Sequence, residues 1–317
     1  MRRYWSRADG AKMNHAVLSG ADTDLRQASF CGTDLQHADM SKVTADGVDL
    51  SGANLRAANL KGANLLHSKL VGSRCEEANF EEAKLDESTL TNATFTGANL
   101  SKAVLSACCL TGSIFDSAVL SHAVLTGSDM SGASMKAAMM DHVLLSKATL
   151  VGVTAAGACL KSAQVRGSNL NEADMSRAKL NGAVMAASTF VRATLVGVDL
   201  ERADMTGCNL AEAKLNTAKC PHAKFDKASL ADAVLIGANL FSALLYRPQF
   251  SILRKCSKIH RTSAEPLFTL SHSLTITKAF VHGAGTPCQY IFEAPARAPG
   301  VCVNKPVVSI YAGICLR

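Results

Sequence analysis

Ser51-Gly52-Ala53-Asn54-Leu55, Arg56-Ala57-Ala58-Asn59-Leu60 and Lys61-Gly62-Ala63-Asn64-Leu65 are three successive five-residue units in one register. The register extends both ways, from Leu25 to Leu245, without insertion or deletion. Of its 45 large apolar centres, 27 are Leu, 7 Met and 6 Phe, and the exceptions are Ala45, Cys75, Ala155, Val165 and Cys220. Two residues before each centre the chain carries Ala, Ser, Val, Thr or Cys every time. A period of five is neither the 3.6 of a helix nor the 2 of a flat strand. A small and a large apolar residue two apart fit a short extended piece with both side chains inward. The other two residues must then turn a corner. Gly holds a corner position in 16 units, among them Gly47, Gly52, Gly62, Gly127, Gly182 and Gly237, as a turn with positive φ favours. Asp or Asn between the inward residues (Asp49, Asn54, Asn59, Asp199, Asp204) is a turn-compatible polar side chain facing out.

These A-(D/N)-L-x-x units resemble the pentapeptide-repeat family over about 225 of the 317 residues. The resemblance implies an all-β solenoid, a right-handed quadrilateral β-helix with four units and twenty residues per coil. On that scheme the 45 units make about eleven coils. At ~4.8 Å per coil the rod is about 54 Å long. Residues twenty apart then lie above one another, so Leu55, Cys75, Phe95 and Phe115 share one face, with a small cysteine beside two rings. Contacts run only between neighbouring coils, and the two ends need caps. An uncapped end invites end-to-end homo-association.

The chain divides into three segments. Residues 1–20 read as an N-terminal cap with irregular first repeats: units centred on Met13 and Leu18 precede a phase jump of two before Leu25. The β-helix occupies 21–245. Residues 246–317 are a basic tail or small cap holding six of the seven prolines. There Phe268–Leu270, Leu274–Phe280 and Val301–Leu316 alternate like strands, and a folded cap and a disordered tail both stay open. The net charge of +7 is unevenly spread, with +3 in 1–20, −3 in 21–245 and +7 in 246–317. Attraction to an acidic partner is therefore expected of the tail. The eleven cysteines are scattered, odd in number and without a C-x-x-C pair. They read as free thiols of a reducing, cytoplasmic compartment, with Cys75, Cys108, Cys208 and Cys220 standing in for Ala or Leu in the core. No secretory h-region stands at the N-terminus and no apolar run approaches ~18 residues.

For catalysis there is no Walker A loop, no H-E-x-x-H and no G-x-S-x-G. An uninterrupted rod also lacks the cleft an active site prefers. The expectation is a chain that is not an enzyme and needs no cofactor. His37, His67, His122, His142 and His222 all fall on one corner position. His122 and His142 are one coil apart, a weak metal-binding or pH-sensing pair for which no carboxylate or thiol completes a ligand set; corners also simply accept polar side chains. Glu76, Glu77, Glu81, Glu82, Asp86 and Glu87 place six acids around three sides of one coil. Lys214, Lys219, Lys224 and Lys227 form a basic band toward the other end. Either is a docking surface or a solvated face. Met130, Met135 and Met140 are centres, and Met139 points outward, as do Val71, Ile114, Val119 and Leu144. Val119 falls between Asn99 and Met139 on one face, a mild apolar stripe.

The leading functional reading is a non-enzymatic scaffold that docks another macromolecule, a protein partner, on the faces of the rod. A second is a DNA-mimic modulator of a DNA topoisomerase, a role of some members of the family resembled, although the array's −3 charge and unbroken length depart from them. A third is nucleic-acid or anionic-membrane binding through the basic tail, where Arg254, Lys255, Lys258 and Arg261 cluster.

Overall fold

A computed structural model describes residues 3–4, 7–20, 23–245, 289–290 and 310–311. Each unit contributes one bridged residue, the outward one between its two inward neighbours, paired in parallel with the residue twenty ahead. Four columns of such rungs result. Face 1 runs from Asp24 to Leu244, face 2 from Ser29 to Ser229, face 3 from Asp34 to Val234 and face 4 from Asp39 to Asn239. The first coil joins with an offset of 22, as Arg7 pairs with Ser29, Lys12 with Asp34 and Val17 with Asp39. The two extra residues are taken up around Gly20, whose φ is 109°. β1 (Arg3–Tyr4) and β2 (Thr23–Asp24) pair in parallel, and β3 (Gln289–Tyr290) pairs antiparallel with β4 (Ile310–Tyr311). The alternating stretches Phe268–Leu270 and Leu274–Phe280, and the cluster Arg254–Arg261, lie outside the described residues. Among the described residues no helix is long and apolar enough to cross a membrane.

Backbone hydrogen bonding explains why the unit has five residues and why Asp or Asn sits in it. In the unit Ala58–Gly62, Ala58 N–H closes the corner on Leu55 O at 3.0 Å, and Asn59 N–H reaches back a coil to Ala38 O at 2.9 Å. Leu60 and Gly62 N–H reach forward to Asn79 O at 2.7 Å and Glu81 O at 2.8 Å. One amide is left, that of Lys61, and Asn59 Oδ1 accepts it at 3.2 Å. The outward Asx thus caps the only donor the ladders cannot use, satisfying a backbone group that must find a partner. Ser41 N–H to Asp39, Glu81 N–H to Asn79 and Ser131 N–H to Asp129 repeat the bond. Free amide hydrogens then link coils sideways, Asn59 Nδ2 to Asp39 Oδ1 at 3.0 Å and Asn79 Nδ2 to Asn59 Oδ1 at 3.3 Å.

The second corner residue is left-handed in all 44 units from Gln27 to Ser242, yet only 16 of these are glycine. Glycine marks the conformation without being required for it. The remaining corners, Ala137 at φ 54° among them, carry the Cβ penalty of the left-handed region.

Inside, the small and large residues form stacked rows. Phe95 and Phe115 lie face to face with centroids 5.0 Å apart, and Phe80 meets Phe95 edge-on at 5.5 Å. Cys75, fully buried, sits next in the Phe95 row. Ala155 is too small for its row, and an apolar void of about 10 Å³ remains there, lined by Met135, Met175 and Met185 among others. One row of small residues is not merely filler. Ser88 Oγ donates to Leu65 O at 2.9 Å and accepts Ser68 N–H at 2.9 Å, and Ser128 Oγ donates to Leu105 O at 2.6 Å. Cys108 and Cys208 belong to this row, with Sγ donating to Leu85 O at 2.9 Å and Met185 O at 3.0 Å. They take the place of serine, and the expectation that they replace Ala or Leu is corrected. Cys75 and Cys220 do sit at large centres. Burial pushes all four thiols up to about 12. Cys109, on face 2, is instead held below the ordinary thiol value by the Thr91 hydroxyl at 3.3 Å, joined by Thr111, against the opposing effect of burial.

Three outcomes are expected. Ala137→Gly raises the stability measured by urea unfolding by about 0.5–1 kcal/mol, since relief of the left-handed penalty exceeds the entropy cost of glycine. In timed alkylation at mildly alkaline pH read by peptide mass spectrometry, Cys109 reacts first among the described thiols. Cys75, Cys108, Cys208 and Cys220 react only after denaturation. Acid weakens the fold through carboxylates such as Asp129, which the Ser131 hydroxyl and amide hold below the ordinary 3.8. A lowered folded value contributes stability that is complete above the unfolded value and lost as pH falls through the folded one. The urea midpoint therefore holds from neutrality to about pH 5 and drops below about pH 4, and Asp129→Asn, which keeps the cap, makes that drop shallower.

Candidate interaction surface

The corner chemistry decides where charge is displayed. Glu77, Glu82 and Glu87 occupy left-handed second-corner positions, with φ of 60°, 60° and 58°. Glu76, Glu81 and Asp86 precede them. The structure brings these acids together and also brings bases to them from the coils above and below. Arg56 Nη2 lies 3.1 Å from Glu77, Lys61 Nζ 2.8 Å from Glu81 and Lys102 Nζ 3.4 Å from Glu82. Arg74 Nε lies 3.7 Å from Glu76, and His67 Nδ1 3.7 Å from Glu87, the latter an ion pair only when the imidazole is protonated. Of the six acids only Asp86 has no ion pair among the described residues. Lys61 is raised and Glu81 lowered, chiefly by their mutual hydrogen bond. The collar is thus an interleaved band of both signs. Exposed pairs of this kind add little to stability, but they cancel much of the field an acidic collar would project. Four of the five pairing bases stand in the sequence at spacings near twenty, a relation invisible when one coil is read alone, whereas Arg74 is two residues from Glu76.

The lysine band is built differently. Lys214, Lys219 and Lys224 stand at mid-strand on faces 3, 4 and 1 and are exposed, and Lys227 occupies a left-handed corner at φ 57°. One coil earlier, Asp199 lies under Lys219 and Asp204 under Lys224. Burial raises Asp204, but the Thr206 hydroxyl and amide, then Lys224 and Arg166, outweigh it and hold the carboxyl below its ordinary value. Three faces of the rod therefore carry ammonium groups at one level, each extended from a rigid rung.

His122 and His142 stack with ring centroids 4.9 Å apart and planes within 5°. His15 and His37 do the same at 5.0 Å, so stacking follows from the corner geometry and does not single out a ligand pair. Cys159 Sγ donates to Asp141 Oδ1 at 2.9 Å nearby. No group of three or more His, Cys, Asp or Glu among the described residues is placed to hold a metal ion.

Between the two charged bands lies a sparsely charged zone. Residues 21–100 carry twelve acids and seven bases, and residues 161–245 eight acids and ten bases, whereas 101–160 hold three of each. Three exposed large apolar side chains stand here, Ile114 and Leu144 each 38% and Met139 49% exposed, and the other four among the described residues, Val17, Val71, Phe241 and Leu244, lie outside it. Val119 and Met139 are adjacent rungs of face 4, and Val104, Val124 and Leu144 are successive rungs of face 1. The reading of Met130, Met135 and Met140 as core and Met139 as outward agrees with their burial. The continuous row Val104–Val124–Leu144 was missed, although its signal, residues twenty apart at the outward position, was available.

In comparisons with known proteins, the family model for pentapeptide repeats matches in eight copies, over residues 5–52, 43–74, 73–112, 113–152, 158–195, 168–207 and 185–219. A search of curated proteins returned no match. Among solved structures, HetL of the cyanobacterium Nostoc sp. strain PCC 7120, a pentapeptide repeat protein involved in heterocyst differentiation regulation, is similar at 24% identity. That match covers 69% of this chain and 89% of HetL with a TM-score of 0.40. Full-length QnrB1, a plasmid-mediated fluoroquinolone resistance protein, is similar at 17% identity over 59% of this chain and 92% of its own, with a TM-score of 0.43. The unit-by-unit match of the family model covers well over half of the 317 residues, and this chain belongs to the pentapeptide-repeat family, whose members fold as right-handed quadrilateral β-helices.

Proposed function

We propose that this chain is a non-enzymatic scaffold that binds another macromolecule through the faces of its rod, with the lysine band as the primary docking surface for an acidic partner. The observation that carries the reading is the contrast between the two bands. Five of the six collar acids already have basic neighbours within 4 Å. Lys214, Lys219 and Lys224 instead stand exposed on three adjoining faces with no ion pair within 4 Å among the described residues, although Asp199 and Asp204 lie one rung below Lys219 and Lys224. Bridged rungs fix where each lysine leaves the backbone before a partner arrives, although the side chains themselves must still be ordered on contact. The same contrast weighs against a DNA-mimic role toward a topoisomerase, which would draw on the acidic collar. Complementary charge of this kind also speeds encounter and makes it salt-sensitive.

The test is affinity capture with the full chain and with the combined variant Lys214→Glu, Lys224→Glu, Lys227→Glu, with folding checked by circular dichroism. A partner retained by the native chain is expected to bind the variant at least about tenfold more weakly and to leave the native chain as salt rises. A partner held equally by both proteins removes the lysine band from the reading.

A further inference from the structure

From the rungs of face 4 we infer that two copies of this chain associate side by side, antiparallel, across that face. Read upward, face 4 consists of Val17, Asp39, Asn59, Asn79, Asn99, Val119, Met139, Cys159, Lys179, Asp199, Lys219 and Asn239, twelve rungs in one column. Its midpoint falls between Val119 and Met139, so its apolar part lies at the centre of the rod. A two-fold axis crossing the face there lays Met139 of each copy on Val119 of the other. Of the five remaining pairs three are complementary, while Asn99 meets Cys159 and Val17 meets Asn239 without charge. Asp39 opposes Lys219, the Asn59 amide opposes Asp199, and the Asn79 amide opposes Lys179, with no like charges in register. An isologous contact requires this kind of self-complementarity.

The edge between faces 3 and 4 obeys the same rule. Glu77 and Arg177, both exposed at left-handed corners, sit equally far from the midpoint and meet across the axis, where Arg177 joins the Arg56 that Glu77 already has within its own chain. A parallel pairing fails, because it sets Lys179, Asp199 and Lys219 each against its own copy. Faces 2 and 3 fit an antiparallel contact less well. Counted with its first-coil rung Arg7, face 2 would centre Cys109 on Asp129, and face 3 has only Ile114 as a large apolar rung near its centre.

Two further properties favour face 4. Its lower half is held rigid by the amide bonds from Asn59 to Asp39, Asn79 to Asn59 and Asn99 to Asn79, at 3.0, 3.3 and 3.4 Å, so little side-chain freedom is lost on contact. Its length is also sufficient. Twelve rungs at ~4.8 Å extend about 53 Å, and a contact strip ~15 Å wide would bury roughly 800 Å² per copy, the standard size of a stable interface.

The experiment uses purified full-length protein and no partner, so its outcome is independent of the scaffold reading. Sedimentation equilibrium at micromolar concentration and low salt is expected to give twice the chain mass. Met139→Glu, at an exposed rung, is expected to weaken the dimer about tenfold or more with an unchanged circular dichroism spectrum and thermal midpoint. Arg177→Glu is expected to weaken it, and adding Glu77→Arg to restore it. The two positions lie five coils apart, about 24 Å within one chain, so that rescue reports contact between copies in the antiparallel register. A monomeric native chain overturns the inference. A dimer that survives Met139→Glu, or one that Glu77→Arg fails to rescue, overturns it as well.

Discussion

Everything in this rod depends on the accounting of backbone amides. Four of the five N–H groups in a unit are used by bonds to the coil before, the coil after or the corner itself, as Ala58, Asn59, Leu60 and Gly62 illustrate. The fifth, Lys61, depends on a side chain. An Asp or Asn between the inward residues is thus a structural part of the backbone network, and its outward position is a by-product of its reach. Where that residue is Val, as at Val104 and Val124, the side chain offers no acceptor. Some corners that follow a rung without Asp or Asn borrow an acceptor from the coil before, as Lys136 N–H does from Asp116 and Val191 N–H from Asn171.

The ladder also explains the tolerance of the corners. With two amides of each corner region fixed by neighbouring coils, a left-handed residue is imposed even on Ala, Glu, His and Lys. The cost is local and repeated, while the return is a corner that accepts any side chain and lifts it clear of the faces. Charge therefore accumulates at corners, and side chains one coil apart meet there as ion pairs or stacked rings. Interior variety is handled separately. Phe95 and Phe115 stack beside a small Cys75, while methionines surround the void at Ala155. Volume is balanced between coils instead of within each one.

Much of this was legible in the sequence, because a five-residue period with fixed inward classes leaves few ways to arrange the chain. The inward set, the outward Met139 and the alignment of Val119 with Asn99 and Met139 came from counting. Four of the five ion pairs of the collar did not, because they depend on side chains about twenty positions away and on how far each reaches from its corner. The hydrogen-bonding role of Cys108 and Cys208 was equally hidden. Composition shows small residues in that row, but only the position of the Leu85 and Met185 carbonyls separates a serine substitute from an alanine substitute. Glycine was a partial guide, since it occupies the left-handed corner in a minority of units and the geometry is imposed on all of them.

The twenty-residue offset makes each face a matter of arithmetic, with a consequence for how such a chain changes by insertion. One added unit preserves the inward pattern and the amide accounting, yet turns every downstream rung by a quarter revolution. The column from Val17 to Asn239 would be split between two sides of the rod. Four added units lengthen the rod by one storey and leave every side in line. The first coil shows a gentler solution, for its offset of 22 absorbs two residues near Gly20 without turning the later coils. Length and surface orientation can therefore vary independently in this architecture, the first in steps of twenty residues and the second in steps of five.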